Sequence, residues 1–303
     1  MSEVFVHSFA AMGTVVSIQL VGHGETDSKR RERAEAAARA AAWFTEVEKC
    51  CSRFDPASEL RKLTDHAGTP VPVSATLYEA VKFAVAVAKA TGGMFDPTVG
   101  ARMEQLGFDR RWETGEVSAS GIAVDDGVSW RDVLLDADSH TITLCKPLVL
   151  DLGAVAKGLA VDTAARELIP FENYAIDAGG DLYLAGHNAE GKLWSVGIRH
   201  PRADDVFETM LVSNNAVCTT GDYERKGARP GAHHILDGRN GGSAAELASV
   251  TVIAPMAMAA DTLATAAFAL GRREGIRFLE HCGVRGVMIT PSLERIETTT
   301  VAG

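Results

Sequence analysis

Along TVVSIQLVG (14–22) β-branched and polar residues alternate, a period of two that predicts a strand. From 27 to 52 the pattern changes to Ala, Arg and Glu without Gly or Pro, which predicts a long helix. A second helix is predicted from Ser74, an N-cap residue type, to the Gly92-Gly93 stop, and MFDPTVG after it reads as a turn. Short strands are predicted near 129–135 and 140–145. LDLGAVAKGLAVD (150–162) reads as strand, glycine turn and a helix running to about Leu168, and YAID, DLYLAG and WSVGIR read as strands between glycine turns. A strand pair over 206–220, a glycine-rich loop over 227–243 and the strand SVTVIA lead into an apolar helix, MAMAADTLATAAFALG (256–271). A further helix and the strands VRGVMIT and RIETTT close the chain. Helices and strands intermingle without regular alternation. The pattern predicts an α+β fold, a single mixed domain of short, mostly antiparallel strands packed with helices over 1–303, with a core of about 4–300.

Composition narrows the picture. The 303 residues are 46% hydrophobic and 23% charged, as expected of a soluble globular chain. The net charge is −10 and KRR at 29–31 is the longest basic run, which argues against nucleic acid as the main ligand. Five cysteines without a CxxC pair indicate neither a disulfide framework nor a zinc site. The start, MSEVFVHSFAAMGT, has no leader pattern and no lipid-bearing cysteine, so a cytoplasmic location is expected unless a leader was removed.

The apolar helix poses the chemical question. A membrane span needs about 20 apolar residues, and an acid at its centre costs about 2.5–3.5 kcal/mol; Asp261 stands near the middle of the stretch, so no span is expected. Asp261 and Thr265, at i and i+4, share one helix face and offer two hard oxygens to a cation. A structural alternative is an acid favoured by the helix dipole, with Thr265 bonding back to a carbonyl. In LDLGAVAKGLAVD, a helix start beyond Gly153 aims N–H groups at an anion, and Lys157 in the first turn reaches for a phosphate or simply for solvent. Gly179-Gly180 is either a plain hairpin turn or a place where backbone approaches a ligand. Adjacent His233 and His234 alternate on a strand, so at most one faces a given site.

In sequence order, AMGT, SRFDPASEL, GGMFDPTVG, DLGAVAKGLAVD, DAGGDLYLAG, TTGDYER, HHILDGRNG and ADTLATA resemble the ApbE family, the FAD:protein FMN transferases. The resemblance runs from near the N-terminus to about residue 271. It implies an α+β protein that binds FAD and Mg²⁺, transfers the FMN half to a threonine of an acceptor flavoprotein (protein flavinylation) and releases AMP. The family's metal ligands fall on Asp261, Thr265 and the Ala154 carbonyl. Its flavin-nucleotide contacts fall on Met12, Phe54, Met94, Phe95, Asp96, Asp151, Lys157 and Ile235, with Gly180 and Asp181 as further candidates. His234 matches a position near the flavin and pyrophosphate; as proton acceptor it competes with Asp261 and Asp181. The chain departs from the family pattern at Gly238, where proline is usual, and at Asn240, where threonine is usual. Three functions follow: FMN transfer, hydrolysis of FAD to FMN and AMP at the same metal, or flavin binding without chemistry. Intact Asp261, Thr265 and Lys157 favour the enzymes.

Overall fold

The computed structural model describes residues 2–24, 26–112, 114–223, 235–239 and 241–299. His234 and Asn240 lie outside the described residues. Strands β1 (Ser2–Ala11) and β2 (Thr14–His23) come first, followed by helices α1 (Asp27–Cys51) and α2 (Glu59–Thr64). Next are β3 (Val71–Pro72), α3 (Ala75–Ala90), α4 (Gly100–Gln105), β4 (Val133–Asp136) and β5 (Thr141–Leu144). The middle of the chain holds α5 (Gly153–Leu168), β6 (Asn173–Ala178), β7 (Asp181–Ala185), β8 (Trp194–Arg199), β9 (Val206–Val212) and β10 (Asn215–Gly221). It ends with β11 (Ser249–Ala254), α6 (Ala257–His281), β12 (Arg285–Ile289) and β13 (Arg295–Glu297).

The main sheet has eight strands in the order β1-β2-β6-β7-β10-β11-β12-β13, antiparallel throughout. Alternation decides which side is which. Val16, Ile18 and Leu20 of β2 are fully buried beneath the helices with Phe44 and Val47 of α1. Each such side chain contributes about 1.5–3 kcal/mol on burial. The opposite face is partly covered by β8 and β9, whose Val196, Ile198, Met210 and Val212 pack on Leu184, Val217 and Ile289. The α+β, mostly antiparallel architecture expected from the pattern is the one observed. Among the described residues no helix is long and apolar enough to cross a membrane.

Local differences have physical reasons. Strand β1 escaped the pattern: its residues from Glu3 onward are exposed or half-buried, as on a sheet edge, and it is held by its ladder to β2. The strands over 206–220 do not pair with each other: β9 joins β8, whereas β10 joins β7 and β11, and Asn214 (φ 53°) makes the change of direction between them. The segment before β4 begins as a 3₁₀ turn, Trp130–Asp132, closed by a capping box on Ser129. Ser74 caps α3 as expected, accepting from the Leu77 N–H at 3.2 Å. Residues 150–152 form no strand, and Gly153 is the first residue of α5 rather than a turn before it. The helix 256–271 and its successor are two segments of α6 joined at Gly271, whose φ of 76° and ψ of −174° break the helix.

Candidate functional site

Two hairpin turns set the upper edge of the site. Met12 and Gly13 link β1 to β2, both at positive φ, and Gly179 and Gly180 link β6 to β7 in the same way. The turns interlock: a Cβ on Gly179 would stand 2.2 Å from the Thr14 hydroxyl oxygen. Next to the Met12-Gly13 turn lies a cavity of about 680 Å³, large enough for a dinucleotide-sized ligand. Its wall includes Met12, Phe54, Asp151 and Lys157. It also includes residues that the sequence reading did not single out: Arg53, Phe108, and the Arg110, Arg111 and Trp112 of one loop.

Arg53 organises this wall. It is only 4% exposed. Its Nε donates to Asp151 Oδ2, its Nη2 donates to the Phe108 carbonyl, and its guanidinium lies 4.1 Å from the Phe54 ring centroid. Asp151 in turn accepts the Gly153 N–H through Oδ1 at 2.8 Å. The first N–H of α5 is therefore engaged by a side-chain carboxylate, and the N–H groups of Val155 and Ala156 donate to the Leu152 carbonyl. Instead of a row of free donors for an anion, this helix start offers a carboxylate cap. Lys157, expected in the first turn, is the fifth residue of α5.

Lys157 connects the cavity to a polar cluster behind it. It lines the cavity, and its ammonium is ion-paired with Asp181, which opens β7 and is 2% exposed. On α6, the Thr265 hydroxyl is 2.9 Å from that of Thr220 on β10. The charges of Asp261 and Lys157 both reach the Cys218 thiol of β10, whose pKa is pushed well up by burial first and by Asp261 second. The Ala154 carbonyl of α5 accepts from the Thr262 hydroxyl at 2.8 Å. Back-bonding within the helix falls on this same Thr262, to Met258 O at 2.7 Å, and Thr265 is turned toward Thr220 instead. The α5–α6 crossing thus brings Ala154 against Thr262, the residue next to Asp261, while Thr265 faces Thr220.

That crossing is unusually close. A Cβ on Gly158 would sit 2.5 Å from the carbonyl carbon and oxygen of Ala257. Ala160, Ala164, Ala260, Ala264 and Ala267, all fully buried, allow the approach. The ligand set expected from the sequence is one carboxylate (Asp261), one hydroxyl (Thr265) and one main-chain carbonyl (Ala154). These are hard donors of the kind magnesium takes, with one or two carboxylates and the remaining positions left to water and phosphate. No group of three or more His, Cys, Asp or Glu side chains assembles as a metal cluster among the described residues.

The other sequence candidates occupy different places. Gly180 is exposed at its turn. Met94, Phe95 and Asp96 are each 7% exposed and Ile235 is 2% exposed, outside the residues that wall the cavity. Asp96 serves the loop itself: Oδ1 accepts from the Thr98 N–H and hydroxyl at 2.9 and 2.7 Å, Oδ2 accepts from Trp130 N–H at 3.0 Å, and burial pushes its pKa up. Gly238 explains its own departure from proline. Its N–H donates to the Met94 carbonyl at 2.9 Å, and a Cβ there would meet Gly93 O at 2.4 Å. Proline has no N–H to give and carries that Cβ.

The chain is similar to known proteins over most of its length. The ApbE family model matches residues 12–288. The FAD:protein FMN transferase of Haemophilus influenzae is 29% identical over 299 residues, covering 92% of this chain and 84% of that protein. The FAD:protein FMN transferase of Treponema pallidum is 32% identical over 268 residues, covering 77% of this chain and 71% of that protein. Among solved structures, the ApbE protein of Thermotoga maritima superposes with a TM-score of 0.83 at 29% identity, over 98% of this chain and 97% of that one. The flavin transferase ApbE of Vibrio cholerae gives 0.83 at 27% identity, with the same two coverages.

Proposed function

Since this chain belongs to the ApbE family, we propose that it is an FAD:protein FMN transferase that moves the FMN half of FAD onto a threonine hydroxyl of an acceptor flavoprotein. The observation that carries the reading is the position of Lys157, which lines the dinucleotide-sized cavity and is also anchored in the polar cluster by Asp181. A diphosphate lying across that junction has its ring systems in the cavity and its negative charge at the cluster.

In the reaction, the threonine oxygen attacks the phosphorus on the FMN side of the FAD diphosphate. A phosphoester bond forms, the bond to the bridging oxygen breaks, and AMP leaves with that oxygen. Such transfers ask mainly for positioning and charge neutralisation. Asp261, Thr265 and the Ala154 carbonyl are the residues that would hold Mg²⁺ in this reading, and the ion would supply Lewis-acid polarisation of phosphoryl oxygens. Lys157 offsets phosphate charge, while Asp181 fixes where its ammonium stands. Phe54, backed by the Arg53 guanidinium, gives the cavity an aromatic face for a flat ring. Asp181, already the counter-ion of Lys157, is the poorest of the three candidates for the threonine proton; Asp261 and His234 stand ahead of it.

Incubation with FAD, Mg²⁺ and a candidate acceptor tests the reading. Flavin fluorescence that stays on the acceptor in a denaturing gel is the expected result, and Asp261→Ala is expected to abolish it. Release of free FMN alone would make the protein a hydrolase, and unchanged FAD in every condition a carrier.

A further inference from the structure

α6 bears Asp261 and Thr265 but has no cap of its own. Met256 occupies the cap position and makes no side-chain hydrogen bond. The cap comes from the neighbouring helix: Asp162 of α5 accepts the Ala257 N–H through Oδ1 at 2.7 Å and the Met258 N–H through Oδ2 at 2.9 Å. Two more fastenings follow along the same crossing. Gly158 lies against the Ala257 backbone, and the Thr262 hydroxyl reaches the Ala154 carbonyl. Asp162 closes the motif LDLGAVAKGLAVD, yet it is neither a wall residue of the cavity nor a proposed ligand.

We infer that Asp162 is a positioning residue for the divalent-cation site, setting the register of α6 on α5 so that Asp261 and Thr265 stand opposite the Ala154 carbonyl. This rests on the cation site put forward in the preceding subsection. A helix advances about 1.5 Å per residue, so even a fractional slip along its axis moves a ligand oxygen beyond the narrow range magnesium accepts near 2.0–2.1 Å. A carboxylate that bonds two successive N–H groups resists both sliding and rotation, which a single bond does not. Partners bonded directly to a metal's ligands commonly change its affinity 10- to 100-fold, and Asp162 acts one step further out, through the backbone of the helix that carries them.

The test uses the full chain with Mn²⁺ alone, without FAD or acceptor, and follows the free-ion signal by electron paramagnetic resonance. Asp162→Asn keeps the size of the side chain and one acceptor oxygen, and Asp162→Glu keeps the charge but shifts the oxygens by one methylene. The expected result is at least tenfold weaker Mn²⁺ binding in Asp162→Asn, a smaller loss in Asp162→Glu, and a transfer reaction that recovers at raised Mg²⁺ with kcat little changed. Circular dichroism checks folding; if Asp162→Asn does not fold, the Glu variant decides. Wild-type Mn²⁺ affinity in the folded variant, with only a lower melting temperature, would make Asp162 a structural cap and overturn the inference. Asp261→Ala is the control: if it binds Mn²⁺ like the wild type, or if the wild type does not bind, the cation site itself is wrong.

Discussion

Arg53 and Asp151 meet as an ion pair beneath the cavity, and the same guanidinium holds the Phe108 carbonyl and backs the Phe54 ring. One side chain therefore ties three wall segments together. Arg53→Met removes the guanidinium from Asp151, which is 19% exposed, a loss of about 2 kcal/mol for a partly buried pair. FAD affinity, followed by flavin fluorescence titration, is expected to fall at least tenfold. Arg53→Lys keeps the charge without the planar fork and is expected to recover only part of it. Unchanged FAD affinity in Arg53→Met would detach this pair from ligand binding.

Lys157 and Asp181 separate stability from chemistry. Lys157→Met strands a carboxylate that is 2% exposed, and thermal melting is expected to show a loss of about 3 kcal/mol. The double variant Lys157→Met/Asp181→Asn removes both charges and is expected to regain most of that stability. Flavin transfer is expected to stay lost in both. Transfer restored together with the melting temperature would reduce Lys157 to a structural role.

Gly158→Ala tests the closeness of the two helices. The added methyl would overlap the Ala257 backbone, which cannot swing aside as a side chain can. Overpacking of this kind costs about 1–3 kcal/mol. Chemical denaturation is expected to show that loss, and the Mg²⁺ requirement of the reaction is expected to rise. Wild-type values for both would mean that the helices can separate freely.

Acid stability depends in part on a cluster far from the site. Arg295 of β13 bonds Glu208 of β9 and Glu297, and these hydrogen bonds hold both carboxyls below the ordinary glutamate range. A depressed carboxylate contributes stability above its unfolded pKa and loses it as pH falls through the folded value. Arg295→Met is expected to lower stability at pH 7 by about 0.5–1 kcal/mol, discounted for solvent screening. The difference from wild type begins to shrink as pH falls through the ordinary glutamate range, where the unfolded chain takes up protons, and closes only below the depressed folded values. A gap that stays the same size as pH is lowered through the acid range would assign the effect to packing.

The fold was legible wherever one local signal dominated: the alternation of β2, the Ser74 cap, the glycine pair before β7. Strand β1 and the separate pairings of β9 and β10 were not, because they depend on partners distant in the chain. Among site residues, the i, i+4 spacing marked Asp261 and Thr265, and the motif marked Lys157 and Asp151. Arg53 and Asp162 stood inside quoted motifs but gave no local sign of their roles. A buried arginine that holds a carboxylate 98 positions away, and an aspartate that caps a helix 95 positions away, become visible only when the chain is folded.

The break at Gly271 also bears on how the molecule loosens. It interrupts the continuous ladder of backbone bonds between the segment that carries Asp261 and the segment that ends at His281. Fraying of the outer segment has no unbroken helix along which to spread inward. Amide exchange should resolve α6 into two opening units, with the inner protons persisting long after the outer ones have been replaced by solvent deuterium.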